Sequence, residues 1–253
     1  MRLADFDRWA RERLEFSEVD SVDGSLNGVQ VGDMNAELGK MTFAVDACLD
    51  SFQRTKQEDA QTLFVHHGLL WGPALRLVGV AGERIRFLMK NNIALYACHL
   101  PLDRHSLLGN NAQIVSRLDL RNIEPFGVYR GRKIGYKGLL SEPSNLERVV
   151  ERLFGTWGDG INALRFGPAE IHSIAVISGG APYEVSQAIS EGMDLYITGD
   201  ASHGIYHECR EAGINVLFAG HYLTEIFGVK AMAELVTQEL NIESVFLDIP
   251  TGY

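Results

Sequence analysis

The feature that most constrains the fold of this chain is an alternation along its length. Short apolar runs rich in β-branched and aromatic residues are separated by amphipathic stretches of helical period, which is the pattern of α/β architecture. Strands are expected at Met41–Asp46, Thr62–His66, Ala94–His99, Lys133–Leu140, Ala163–Phe166, Ser173–Ser178, Leu195–Thr198, Val216–Gly220 and Ser244–Ile249. Helices fit between most of them. In the first, Leu3, Phe6, Ala10 and Leu14 recur at three- and four-residue steps, so that one face packs while Arg8, Arg11, Glu12 and Glu15 meet water. A second helix is expected at Glu225–Leu240, with Ile226, Val229, Ala233 and Val236 as its stripe. The stretch Gly24–Gly32 breaks the periodicity and reads as a loop. The segment Asn122–Lys137, with Pro125 and three glycines, reads as the break between two α/β halves, residues 1–127 and 128–253, with the last helix and strand able to return to the first half.

Composition narrows the class of protein. The 253 residues carry 46% hydrophobic side chains, enough for a real core. No run approaches the roughly 20 apolar residues of a membrane span. Met1–Leu14 is charged and amphipathic, without the apolar core of a signal peptide, so a cytoplasmic location is expected. The formal charge of −10 argues against nucleic acid as a partner, because binding its backbone needs clustered cations. The basic run Tyr129–Lys133 is an exception short enough to be a solvated loop. Cys48, Cys98 and Cys209 are distant and unpaired in pattern, and are expected reduced and buried.

The chemistry concentrates at expected strand ends. Of 8 histidines, His66, His67, His99, His203 and His221 fall at or just beyond the C-terminal ends of strands, where ligands gather in open α/β sheets. In Phe64-Val-His-His-Gly68 the side chains of successive strand residues diverge, so two adjacent histidines suit two neighbouring ions better than one. In Cys98-His-Leu-Pro-Leu-Asp103, Pro101 carries Asp103 beyond the strand edge, where it could reach a cation or cap the next helix; His99 could be a ligand or could orient one. In Gly220-His-Tyr-Leu-Thr-Glu225 the four-residue spacing returns His221 and Glu225 to one helical face. Three imidazoles and two carboxylates against two divalent ions leave about +2 for water or an anionic substrate, unlike a closed structural zinc site. Such a donor set suits zinc, iron, manganese or nickel. Thr198-Gly-Asp-Ala-Ser-His203 could form a separate site from His203, His207 and Glu208, but reads better as a capped strand-to-helix turn that leaves His203 to contact substrate or donate a proton.

Taken in order, HHG, HLPLD with Leu-Gly-Asn-Asn at 108–111, TGDxSH and GHYxTE resemble one family across nearly the whole chain: the GTP cyclohydrolase I type 2 homologues, or NIF-three-like proteins. The resemblance implies two similar α/β subdomains with mixed sheets flanked by helices, and a homohexameric ring. It also implies two divalent metal ions per subunit on His66, His67, Asp103, His221 and Glu225, with His99 and His203 lining the pocket as catalytic groups. This chain looks like the short form, lacking the inserted domain of longer relatives. Its loop at Ser25–Gly32 departs from relatives that carry Asp-Asn before the glycine. The activity implied is metal-dependent hydrolysis of a nucleotide or similar anionic small molecule, the family name pointing to opening of the purine ring of GTP. The reading from another class is a non-catalytic metal-binding ring that serves as a scaffold or metal carrier.

Overall fold

A computed structural model describes residues 1–253. The chain is an α/β protein with two mixed sheets flanked by helices, and it divides into two compact units: Met1–Leu108 with Gly228–Ile249, and Gly109–Phe227 with Pro250–Tyr253. The first unit contains α1 (Leu3–Arg13), β1 (Gly28–Val31), β2 (Lys40–Asp46), α2 (Leu49–Gln57), β3 (Thr62–His67), α3 (Gly79–Lys90), β4 (Ala94–Ala97) and α4 (Leu100–Arg104). The second contains α5 (Asn110–Arg117), β5 (Leu120–Tyr129), β6 (Arg132–Ser144), α6 (Leu146–Phe154), β7 (Asn162–Arg165), β8 (Ile171–Val176), α7 (Val185–Ser190), β9 (Leu195–Thr198), α8 (Tyr206–Ala212) and β10 (Asn215–Phe218). The helix α9 (His221–Leu240) begins in the second unit and continues in the first, where β11 (Glu243–Phe246) completes the sheet. No helix is long and apolar enough to cross a membrane.

The first sheet has the order β1-β4-β3-β2-β11. Its β4, β3, β2 and β11 run parallel, and β1 closes one edge antiparallel to β4. Strand β3 is central and buried from Thr62 to His66, which explains its continuous apolar run. Alternation sends Leu63 and Val65 to one face, against Phe52 of α2 and Leu88 of α3. Phe64 goes to the other, 5.3 Å from Phe43 and 5.5 Å from Tyr96, with Phe6 of α1 edge-on to Tyr96 at 5.2 Å. Burying each such ring contributes about 1.5–3 kcal/mol. These packed faces hold the C-terminal end of β3 in place.

The second sheet, ordered β5-β6-β8-β9-β10-β7, is parallel only from β8 through β9 to β10. Ile174, Val176, Leu195, Ile197 and Leu217 form its core with Val149, Val150 and Leu153 of α6. Asn145 caps α6, its side chain accepting the Arg148 N–H at 3.0 Å.

All nine expected strands are present, and two more lie in the stretch read as a loop and in the one read as a break between halves. Gly28–Val31 is β1, and Asn122–Lys137 lies in the hairpin of β5 and β6. Both new strands are sheet edges, where Pro125 lacks a donor at no cost to a neighbour and local periodicity is weakest. Helix α9 also starts four residues earlier than its apolar stripe indicates, the Thr224 N–H reaching the Gly220 carbonyl at 3.1 Å as its first helical bond. The three cysteines are free; Cys98 and Cys209 are buried, but Cys48 is half-buried and caps α2 through a reciprocal pair of bonds with Ser51.

Candidate metal centre

In the first unit His66 and His67 close β3, and the fully buried His66 ring donates its Nδ1 proton to the Cys98 carbonyl at 2.9 Å. His67 Nδ1 is 2.9 Å from Oδ1 of Asp46, the residue that ends β2 and is its cross-strand partner. His99 follows β4, and its Nδ1 is 2.8 Å from Asp23 Oδ1. These acceptors hold each ring as the Nδ1–H tautomer and leave Nε2 to carry the lone pair, the arrangement in which metal-binding histidines are found. Although a regular strand would splay His66 from His67, their rings meet at the strand end 4.6 Å apart, and ligand atoms of His66, His67 and His99 all lie within 4.8 Å. Asp103, on α4 behind Pro101, is buried with Oδ1 3.5 Å from His66 Nε2.

The N-terminal loop anchors this half. The Asp23 carboxylate, fully buried, also accepts the Ser25 N–H at 2.8 Å, the Leu100 N–H at 2.9 Å and the Asn27 side-chain amide at 2.8 Å. Burial alone would raise its pKa, but His99 and these donors carry it below the ordinary aspartate value. Asn27 in turn accepts the His99 N–H at 2.8 Å.

In the second unit His221 opens α9, with Nδ1 3.0 Å from Asp200 Oδ1 and Nε2 3.3 Å from Glu225 Oε1. Burial disfavours charge on this imidazole, yet Glu225 and Asp200 outweigh it and raise the pKa to about 9. The turn after β8 passes close beneath the pair. A Cβ at Gly179, where φ is +65°, would stand 2.2 Å from Glu225 Oε1 and 3.2 Å from His221 Nε2. The Gly179 carbonyl accepts the Gly199 and Asp200 N–H groups at 2.9 and 3.0 Å, and its N–H donates to Thr224 Oγ1 at 3.0 Å. Asp200 is thereby fixed to orient His221.

The donor set fits divalent ions. Two ligands about 2.1 Å from one ion at a tetrahedral angle lie about 3.4 Å apart. The His66–Asp103 and His221–Glu225 donor separations are 3.5 and 3.3 Å. A lone-pair nitrogen facing a carboxylate oxygen at this distance needs a cation between them, whether a proton or a metal.

The first unit thus gathers His66, His67, His99 and Asp103, and the second gathers His221 and Glu225. His203 opens a 3₁₀ turn at His203–Ile205 and is exposed; Ser202 caps that turn, as expected of this motif. His203, His207 and Glu208 are exposed and are not gathered into a ligand cluster. The sequence reading missed the orienting carboxylates Asp23, Asp46 and Asp200. A signal existed for two of them: Asp46 and Asp200 each end or follow a parallel strand adjacent to the one that carries their histidine, and each lies 21 residues before it, one strand-helix-strand unit.

Comparison with known proteins places the whole chain in one family. The profile of the family Duf34/NIF3 (NGG1p interacting factor 3) matches residues 1–252. A protein of Archaeoglobus fulgidus named GTP cyclohydrolase 1 type 2 homolog is 41% identical, with both chains fully covered. A Treponema pallidum protein of the same name is 37% identical, again with full coverage of both. Among solved structures, protein ybgI, described as of unknown function, superposes with a TM-score of 0.89 at 28% identity over 100% of each chain. A Thermus thermophilus structure gives 0.85 at 32% identity, also over 100% of each. Matched by the family profile over residues 1–252 and 41% identical over its whole length to one of these relatives, the chain belongs to the Duf34/NIF3 family.

Proposed function

We propose that the chain is a metal-dependent hydrolase of a nucleotide or similar anionic small molecule, with two divalent ions held by His66, His67, Asp103, His221 and Glu225. The observation that carries this reading is the donor geometry: in each unit an Nε2 fixed by a bond at Nδ1 faces a buried carboxylate oxygen, 3.5 Å away in the first and 3.3 Å in the second. The names of the relatives, GTP cyclohydrolase 1 type 2 homologs, support the same class of chemistry. Zinc, iron, manganese or nickel would supply Lewis acidity for polarising the bond to be broken and activating water. The protein's own groups then have separate tasks. Asp46 and Asp200 keep the His67 and His221 rings in one tautomer, and Cys98 does so for His66 through its carbonyl. His99, held by Asp23, accepts or returns a proton at Nε2, and His203 contacts substrate at the rim.

The test uses purified full-length protein loaded in turn with each metal and offered GTP and a panel of nucleotides. Turnover is expected with at least one metal, with loss in Asp103→Asn. Equal rates in parent and variant would refute the assignment. Stoichiometric metal with no turnover on any substrate would sink the hydrolase in favour of a non-catalytic metal-binding ring. In light scattering a homohexamer is expected, and a monomer mass would count against the ring.

A further inference from the structure

Trp71 has no part in the metal set, yet the fold holds it beside one of that set's histidines, His67, and beside His99. Its ring centroid is 4.9 Å from that of His99 at an interplanar angle of 73°, and 6.1 Å from that of His67. The indole is fixed in place: Nε1–H donates to the Gly68 carbonyl at 2.8 Å, and the backbone at Trp71 bridges to Ser25. On either side, the Leu26 N–H reaches the Leu70 carbonyl at 3.0 Å, and the Gly72 N–H reaches Gly24 at 2.9 Å. Gln30, from β1, clasps the same turn, its Oε1 accepting the Leu69 and Leu70 N–H groups at 2.7 and 3.0 Å.

So anchored, Trp71 is still 38% exposed. A large aromatic that is both rigid and wet has already lost its conformational freedom, and so gains most from a ligand that covers it. Beside it stands the His67 imidazole, proposed to help carry divalent cations, which attract an anionic group. An indole face next to a cationic centre matches a molecule that is planar and aromatic at one end and anionic at the other. An aliphatic anion would leave the indole uncovered.

We propose that Trp71 is the specificity residue of the site, stacking on the planar heteroaromatic ring of an anionic ligand such as a nucleotide. The inference rests on the proposed metal centre for the anionic end of the ligand, but not on turnover.

The experiment measures binding rather than catalysis. Guanosine 5′-monophosphate and ribose 5-phosphate share the sugar phosphate and differ in the ring, and calorimetry on metal-loaded protein gives their affinity ratio. Stacking on one base predicts that wild type prefers the nucleotide by about 5- to 150-fold. Trp71→Leu should abolish that preference with ribose 5-phosphate binding and metal content unchanged, and Trp71→Phe should keep most of it. Nucleotide should quench tryptophan emission in wild type and not in Trp71→Phe. No preference in wild type, equal losses for both probes in Trp71→Leu, or an unchanged ratio with an altered oligomeric state would each overturn the proposal, the last by assigning Trp71 to a contact between subunits. A ring preference without turnover on any substrate would instead leave this inference standing and remove the hydrolase.

Discussion

Replacing Gly179 by alanine separates a ligand-positioning role from backbone strain. The new Cβ would lie 2.2 Å from Glu225 Oε1 and 3.2 Å from its Cδ. Optimal contacts lie at about 3.5 Å or more, so the carboxylate must withdraw by about 1 Å. Because Oε1 is the far end of a flexible side chain, the clash relaxes by rotation, and its cost falls on ligand placement more than on folding. The positive φ adds strain of about 1–2 kcal/mol for any L-residue. Gly213 supplies the control. It has φ +68° and ψ 42° at the end of α8, and a Cβ there would meet the Phe166 carbonyl at an ordinary 3.6 Å. Urea unfolding of metal-free protein should therefore show losses of about 1–2 kcal/mol in both Gly179→Ala and Gly213→Ala. Calorimetric titration with zinc or manganese should show an affinity loss of about 10- to 100-fold in Gly179→Ala alone, the range found when a ligand's support is disturbed. Equal metal affinities in the two variants would refute the reasoning.

Other outcomes follow from the same geometry. Asp46→Asn should release the His67 tautomer and lower metal content by about 10- to 100-fold in affinity, measured by elemental analysis after dialysis; full retention would show that Asp46 does not orient a ligand. The His221 pKa is raised in the folded state to about 9, so the stability it contributes is complete below the ordinary value of 6.5 and is lost as pH rises through 9. With the ring a third exposed, that contribution is about 1–2 kcal/mol after allowance for screening. Metal-free protein should accordingly weaken from pH 6.5 to 9 in urea melts, and Glu225→Gln should flatten the slope; identical slopes would contradict the coupling. Phe64→Ala, in the doubly covered centre of β3, should cost about 3–5 kcal/mol, and a loss below about 1 kcal/mol would mean that the aromatic layer is not a packed core.

What the amino-acid order determined was the set of elements that bury themselves. Thr62–His66 and Leu195–Thr198 are read as strands because a strand buried on both faces is mostly apolar along its length, and α1 is legible because only one of its faces is. The histidines were visible as candidates because they follow such runs directly. Tertiary structure alone decided how the His66 and His99 rings are held. Asp23 serves His99 across 76 residues, and nothing near Asp23 in sequence distinguishes it from a solvated loop acid. Edge strands were likewise undetermined: β1 and β5 owe their conformation to the neighbour they pair with, and Gly28 or Pro125 would read equally well as a turn. Burial leaves a periodic trace along the chain, whereas a hydrogen bond such as that of Asp23 to His99 leaves none, because its partner is chosen only when the sheet and the N-terminal loop assemble.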